Sequence, residues 1–67
     1  MWHDTMPFDE AEACFMGRVV EFKVHGRLYT GKVRLVKACG VNDEYVIVFI
    51  LGGGAYFPNQ ITRILAA

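Results

Sequence analysis

Tyr45-Val46-Ile47-Val48-Phe49-Ile50-Leu51 is the longest uninterrupted apolar run in the chain. It is β-branched and aromatic, too short for a helix of ordinary length, and bounded by Gly40-Val41-Asn42-Asp43 before it and Gly52-Gly53-Gly54 after it. Those features specify a strand between two turns. Unlike a half-buried strand, the run does not alternate with polar residues, so both of its faces call for burial. One face meets the core. The other must be met either by the N-terminal segment or by a second subunit.

Reading outward from this strand, a period of two holds upstream, from Arg18. Val20, Phe22 and Val24 alternate with Glu21, Lys23 and His25, the pattern of a half-buried strand. Gly26-Arg27 reads as a turn. Leu28 to Cys39 reads as a longer strand with Gly31, Val33 and Leu35 on one side and Lys32 and Arg34 on the other. Gly31 marks a bend within it. Downstream, Ala55-Tyr56-Phe57 is a short strand, Pro58-Asn59-Gln60 a single 3₁₀ turn, and Ile61 to Leu65 the last strand. Ahead of the strands, Phe8 to Met16 reads as two turns of helix. Pro7 starts it, Asp9, Glu10 and Glu12 suit the positive end of its dipole, and Phe8, Ala11 and Phe15 share a face. The expected fold is all-β: a five-stranded SH3-like antiparallel barrel over residues 17–67, preceded by an N-terminal acidic arm, residues 1–16, with a short helix.

Composition narrows the function classes. Sixty-seven residues hold one domain, and at 54% hydrophobic and 21% charged it is a folding chain. A domain this small buries only about 60% of the surface it exposes when unfolded. It therefore needs a staple such as a disulfide, a metal or a partner. Two cysteines, Cys14 and Cys39, make no disulfide framework. With His3 and His25 they give four soft ligands but none of the close pairs that zinc sites use, so no metal site is expected. A homo-oligomer, dimer or tetramer, through Tyr45, Ile47, Phe49 and Leu51 is the staple that remains. No apolar segment is long enough to span a bilayer, and a reduced, cytoplasmic protein is the expectation.

The net charge of zero conceals a segregation. Residues 1–16 carry Asp4, Asp9, Glu10 and Glu12 and no Lys or Arg. Residues 17–67 carry all seven basic groups against Glu21, Asp43 and Glu44. Bulk charge thus gives no general attraction to nucleic acid or membrane. A basic run, Lys32, Arg34 and Lys37, nevertheless lies on one strand, with Lys23, Arg27 and Arg63 elsewhere. Small barrels bind single strands by such basic rows beside aromatic side chains. Gly52-Gly53-Gly54 lacks the phosphate-loop pattern and leads into a strand, so it reads as a hairpin turn.

The segment from Gly17 to Leu65, about three quarters of the chain, resembles an SH3-like barrel. The likeness is carried by Val20-x-Phe22, Gly26-Arg27-Leu28-Tyr29-Thr30-Gly31-Lys32-Val33, Tyr45-Val46-x-Val48-Phe49 and Ile61-x-x-Ile64-Leu65. Within that class it is similar to Tudor-like domains, which hold methylated side chains in an aromatic cage. The resemblance places the cage on Phe22, Tyr29, Phe49 and either Tyr56 or Phe57. It implies a peptide partner bound by cation–π attraction. Ile50-Leu51-Gly52-Gly53-Gly54 stands where that family carries an acidic or polar residue.

The chain also resembles the type II, plasmid-borne, trimethoprim-insensitive dihydrofolate reductases. Phe15-Met16-Gly17, Gly26-x-x-Tyr29-Thr30-Gly31, Phe57-Pro58 and Arg63-Ile64 carry that likeness. It implies a homotetramer with one shared pore, lined by Ala55, Tyr56 and Phe57, charged by Lys23, and using NADPH. Ala55 stands at that family's glutamine and Phe57 at its tyrosine, the groups that fix the pterin and nicotinamide amides. The reading of this chain is therefore a binding or assembly module that homo-oligomerises, with no catalytic residue and no cofactor. A divergent pore enzyme and a Tudor-like or nucleic-acid-binding module are the alternatives.

Overall fold

The structure is a computed structural model describing residue 2 and residues 5–66. A short helix, α1 (Phe8–Phe15), precedes five strands: β1 (Val19–Val24), β2 (Arg27–Cys39), β3 (Tyr45–Ile50), β4 (Ala55–Tyr56) and β5 (Ile61–Ala66). A 3₁₀ turn, Pro58–Gln60, joins β4 to β5. The Phe57 N–H donates to Gln60 Oε1 at 3.0 Å across that turn. The strands form one antiparallel sheet in the order β4-β3-β2-β1-β5. Its edge strands β4 and β5 do not pair with each other, so hydrogen bonding does not close the sheet.

β2 is the axis of the sheet. Residues 27–32 pair with β1 and residues 33–39 pair with β3. The strand bends where the two halves meet, and Gly31 sits at that bend with Ile50 of β3 and the Phe22 ring against it. The β1–β2 connection is tighter than the sequence suggests. Val24 pairs with Arg27, so the turn is His25-Gly26, with φ of 49° and 79°, and Arg27 already belongs to the strand. Two successive positive φ values match the right-handed twist of the flanking strands.

The core lies on the inner side of the sheet. It comprises Val20, Phe22, Val33, Val36, Val46, Val48, Ile50 and Ile61, closed by Met6, Ala11 and Phe15 from the N-terminal segment. The helical spacing delivers this: Ala11 and Phe15 are fully buried and Phe8 packs beside them. Gly17, at φ 74°, turns the chain out of the helix, and its N–H donates to the Val33 carbonyl at 3.1 Å.

The expectation for β2 needs one correction. Strict alternation puts Leu35 inward with Gly31 and Val33. A register shift between Val33 and Leu35 in the β2–β3 pairing breaks that alternation. Val33 and Val36 are buried, and Leu35 is 40% exposed. A bulge of this kind inserts one residue and turns every later side chain to the opposite side. It occurs here because β2 must bend to pair with two neighbours. Phe57 also departs from the expected strand, since β4 ends at Tyr56.

Candidate functional site

The outer side of β2, β3 and β4 carries the most unusual surface. On β3, Val46, Val48 and Ile50 point to the core. Tyr45, Ile47 and Phe49 therefore face outward and are only half-buried. Leu51, just past the strand, is 63% exposed. Among the described residues the N-terminal segment packs on the inner core, through Met6, Ala11 and Phe15, and not on this row. Across the ladder the partners are Leu35 beside Phe49, Lys37 beside Ile47, Cys39 beside Tyr45, and Ala55 on the other flank of Phe49. The exposed Phe57 ring meets Tyr45 edge-on, with centroids 5.9 Å apart. The Arg34 guanidinium carbon lies 5.4 Å from the Phe49 ring centroid, a cation–π distance. The site is thus an apolar row bordered on β2 by basic side chains, with Arg34 tied to the row itself.

β4 pairs with β3 only at Val48 and Phe49. Tyr45 to Ile47 have no strand partner on that flank among the described residues. That part of the β3 edge therefore has no strand ladder, and the Phe57 ring lies against Tyr45 there.

A second aromatic group forms at the inner mouth of the sheet. Phe22 and Tyr29 are cross-strand partners with rings stacked at 5.9 Å, and Tyr56 lies 4.5 Å from Phe22. Phe22 is buried and Tyr29 is 46% exposed. The four-ring set expected from the Tudor-like resemblance is thus divided. Phe22, Tyr29 and Tyr56 come together, and Phe49 lies on the opposite side of the sheet. The period of two likewise splits β4, leaving Ala55 outward and Tyr56 inward, with Phe57 beside Tyr45. Lys23 is exposed on the outer side of β1, opposite Leu28, and two strands separate β1 from β4 in the sheet order.

Glu21, Thr62 and Arg63 form a polar cluster that joins β1 to β5, and sequence reading missed it. The Thr62 hydroxyl lies 2.7 Å from Glu21 Oε1, to which it donates, and 3.1 Å from the Glu21 carbonyl. Arg63 Nη2 donates to Glu21 Oε2 at 3.3 Å, the one ion pair among the described residues. The Thr62 hydrogen bond and then the Arg63 charge hold the Glu21 carboxyl below its ordinary value. Neighbours 41 and 42 residues away in sequence leave no local signal.

Ala55 and Phe57 carry no side-chain hydrogen-bonding group, and the Tyr56 hydroxyl folds back over Gly54, 2.6 Å from where a Cβ there would stand. That set does not fit a carboxamide. Cys14 and Cys39 are free and half-buried. Among the described residues no three His, Cys, Asp or Glu side chains gather around a common point; His3 lies outside them. No helix among them is long and apolar enough to cross a membrane.

No family model matches the chain, and no curated protein and no solved structure matches it.

Proposed function

We propose that this chain is an SH3-like barrel that acts as an assembly module, homo-oligomerising as a dimer or tetramer through the outer row Tyr45, Ile47, Phe49 and Leu51. The strand order, the long β2 shared between two halves of the sheet and the 3₁₀ turn before β5 support the barrel reading. The observation that carries the function is the outer row of β3. Its apolar side chains Tyr45, Ile47 and Phe49 are only half-buried, Leu51 and Leu35 beside them are exposed, and the described part of the N-terminal segment packs on the inner core instead.

A second copy is the occupant that the chain's charge favours. At a net charge of zero, copies meet without mutual repulsion. The half-buried row and the edge of β3 without a strand partner offer side-chain and backbone contacts side by side. On this reading the module works by presenting a multivalent scaffold and not by turnover.

Light scattering on the purified chain tests this. The wild type is expected to run as a dimer or tetramer, and the pair Ile47→Glu and Phe49→Glu is expected to give a monomer with an unchanged far-ultraviolet circular dichroism spectrum. A wild type that stays monomeric at its highest soluble concentration overturns the proposal.

A further inference from the structure

The bulge in β2 does more than bend the strand. Under strict alternation Lys32 and Lys37, five positions apart, lie on opposite sides of the sheet. The register shift between Val33 and Leu35 turns Lys37 outward, opposite Ile47, and leaves Lys32 outward, opposite Val19. Arg34, within the bulge, reaches the outer ring of Phe49. Three basic side chains are thereby brought into one row on one side of one strand. At 3.2–3.4 Å per residue the row spans about 16 Å.

None of the three has a carboxylate partner among the described residues, where the only ion pair is Arg63 with Glu21. The carboxylates at Asp9, Glu10 and Glu12 sit on α1 and those at Asp43 and Glu44 in the β2–β3 loop. Lys32 lies away from the apolar row, opposite Val19, while Arg34 and Lys37 border it beside Phe49 and Ile47.

We propose that this row binds single-stranded nucleic acid through its phosphates. A linear row of cations suits an extended backbone, and three cations engage about three phosphates, just short of the roughly 4–16 nucleotides that a whole small barrel occupies. Phosphate contacts carry no base information, so binding is indifferent to sequence.

The test is fluorescence anisotropy with an end-labelled oligothymidine of twenty nucleotides, titrated with the full chain at several salt concentrations. Wild type is expected to bind, with log affinity falling against log salt at a slope of about −2, from three phosphates at about 0.7 each. Lys32→Gln and Lys37→Gln are each expected to flatten that slope by about 0.7. The triple variant Lys32→Gln, Arg34→Gln and Lys37→Gln is expected to lose at least tenfold in affinity. Arg27→Gln, at the hairpin, is expected to stay within twofold of wild type. No anisotropy change at low salt, single and triple variants that bind like wild type, or equal affinity for a duplex of the same length overturns the proposal. Native mass measured on the same samples reports self-association separately, so either idea can fail alone.

Discussion

Gly31 and Ile50 approach so closely that a Cβ on Gly31 would stand 2.5 Å from Ile50 Cγ2, with the Phe22 ring a further neighbour at 3.5 Å. This contact is where β2 passes from its pairing with β1 to its pairing with β3. Gly31→Ala forces either β3 or the Phe22 ring to move, at a cost of about 1–3 kcal/mol. Ile50→Ala alone opens a cavity in the core and is also destabilising. The double variant removes the atom that clashes, so it is expected to be more stable than the sum of the two single changes. Urea unfolding of the four proteins measures that coupling, and simple additivity would mean the close approach carries no energy.

Acid stability reports the Glu21 cluster. The folded-state pKa of Glu21 is lowered, first by the Thr62 hydroxyl and then by Arg63. A lowered pKa gives stability that is fully present above the unfolded value, about 4.3 for glutamate. It is lost as pH falls through the folded value. Glu21→Gln is therefore expected to be less stable than wild type at pH 7 and to close the gap below about pH 4. Thr62→Val should behave similarly, since it removes the leading cause. Thermal unfolding between pH 3 and 7 checks this, and a stability difference that does not change with pH overturns it.

The aromatic closure of the N-terminal segment has its own reporter. Trp2, the single tryptophan, packs edge-on against Phe15 with centroids 5.1 Å apart, and Phe15 is fully buried. Phe15→Ala is expected to cost about 3–5 kcal/mol and to shift Trp2 emission to the red under conditions where the strands remain folded. Unchanged emission would mean that Trp2 does not use this contact in solution.

Much of this fold is legible in the sequence because its signals are local. The helix is written in Pro7, Phe8, Ala11 and Phe15 and the β4–β5 connection in Pro58-Asn59-Gln60, while the β1–β2 turn, read at Gly26-Arg27, falls one residue earlier at His25-Gly26. Tyr45–Leu51 announces that one of its sides has no place in a single small core, and in the structure Tyr45, Ile47 and Phe49 stay half-buried on the outer side with Leu51 exposed. The sides of the sheet are harder to read, because one inserted residue reverses them. Leu35 reads inward from the alternation of Gly31 and Val33, and the bulge sends it outward with Lys37. Phe22, Tyr29 and Phe49 read as one aromatic set, yet Phe49 lies across the sheet from the other two, tied to Arg34. The Glu21–Thr62–Arg63 cluster depends on which strands neighbour each other, and no spacing within a strand encodes that.

The phase of β2 can be tested directly with two adjacent carboxylates. Unbroken alternation from Val33 makes Leu35 a core residue and Val36 an outer one. The bulged strand makes Val36 a core residue at 3% exposure and Leu35 an outer one. Val36→Glu places an unpaired carboxylate in the core, opposite Val48. Burying a charge without a partner exceeds the few kcal/mol by which a domain of this size is stable, so this variant is expected to show no cooperative unfolding transition. Leu35→Glu leaves the core intact and is expected to stay within about 1 kcal/mol of wild type. It also sets a negative charge beside Phe49 at the proposed contact between copies, so it is expected to weaken self-association while the domain remains folded. Circular dichroism melts and light scattering on both variants decide the matter. A folded Val36→Glu beside an unfolded Leu35→Glu would restore strict alternation. It would also return Lys37 to the side opposite Lys32, and the continuous basic row would no longer exist.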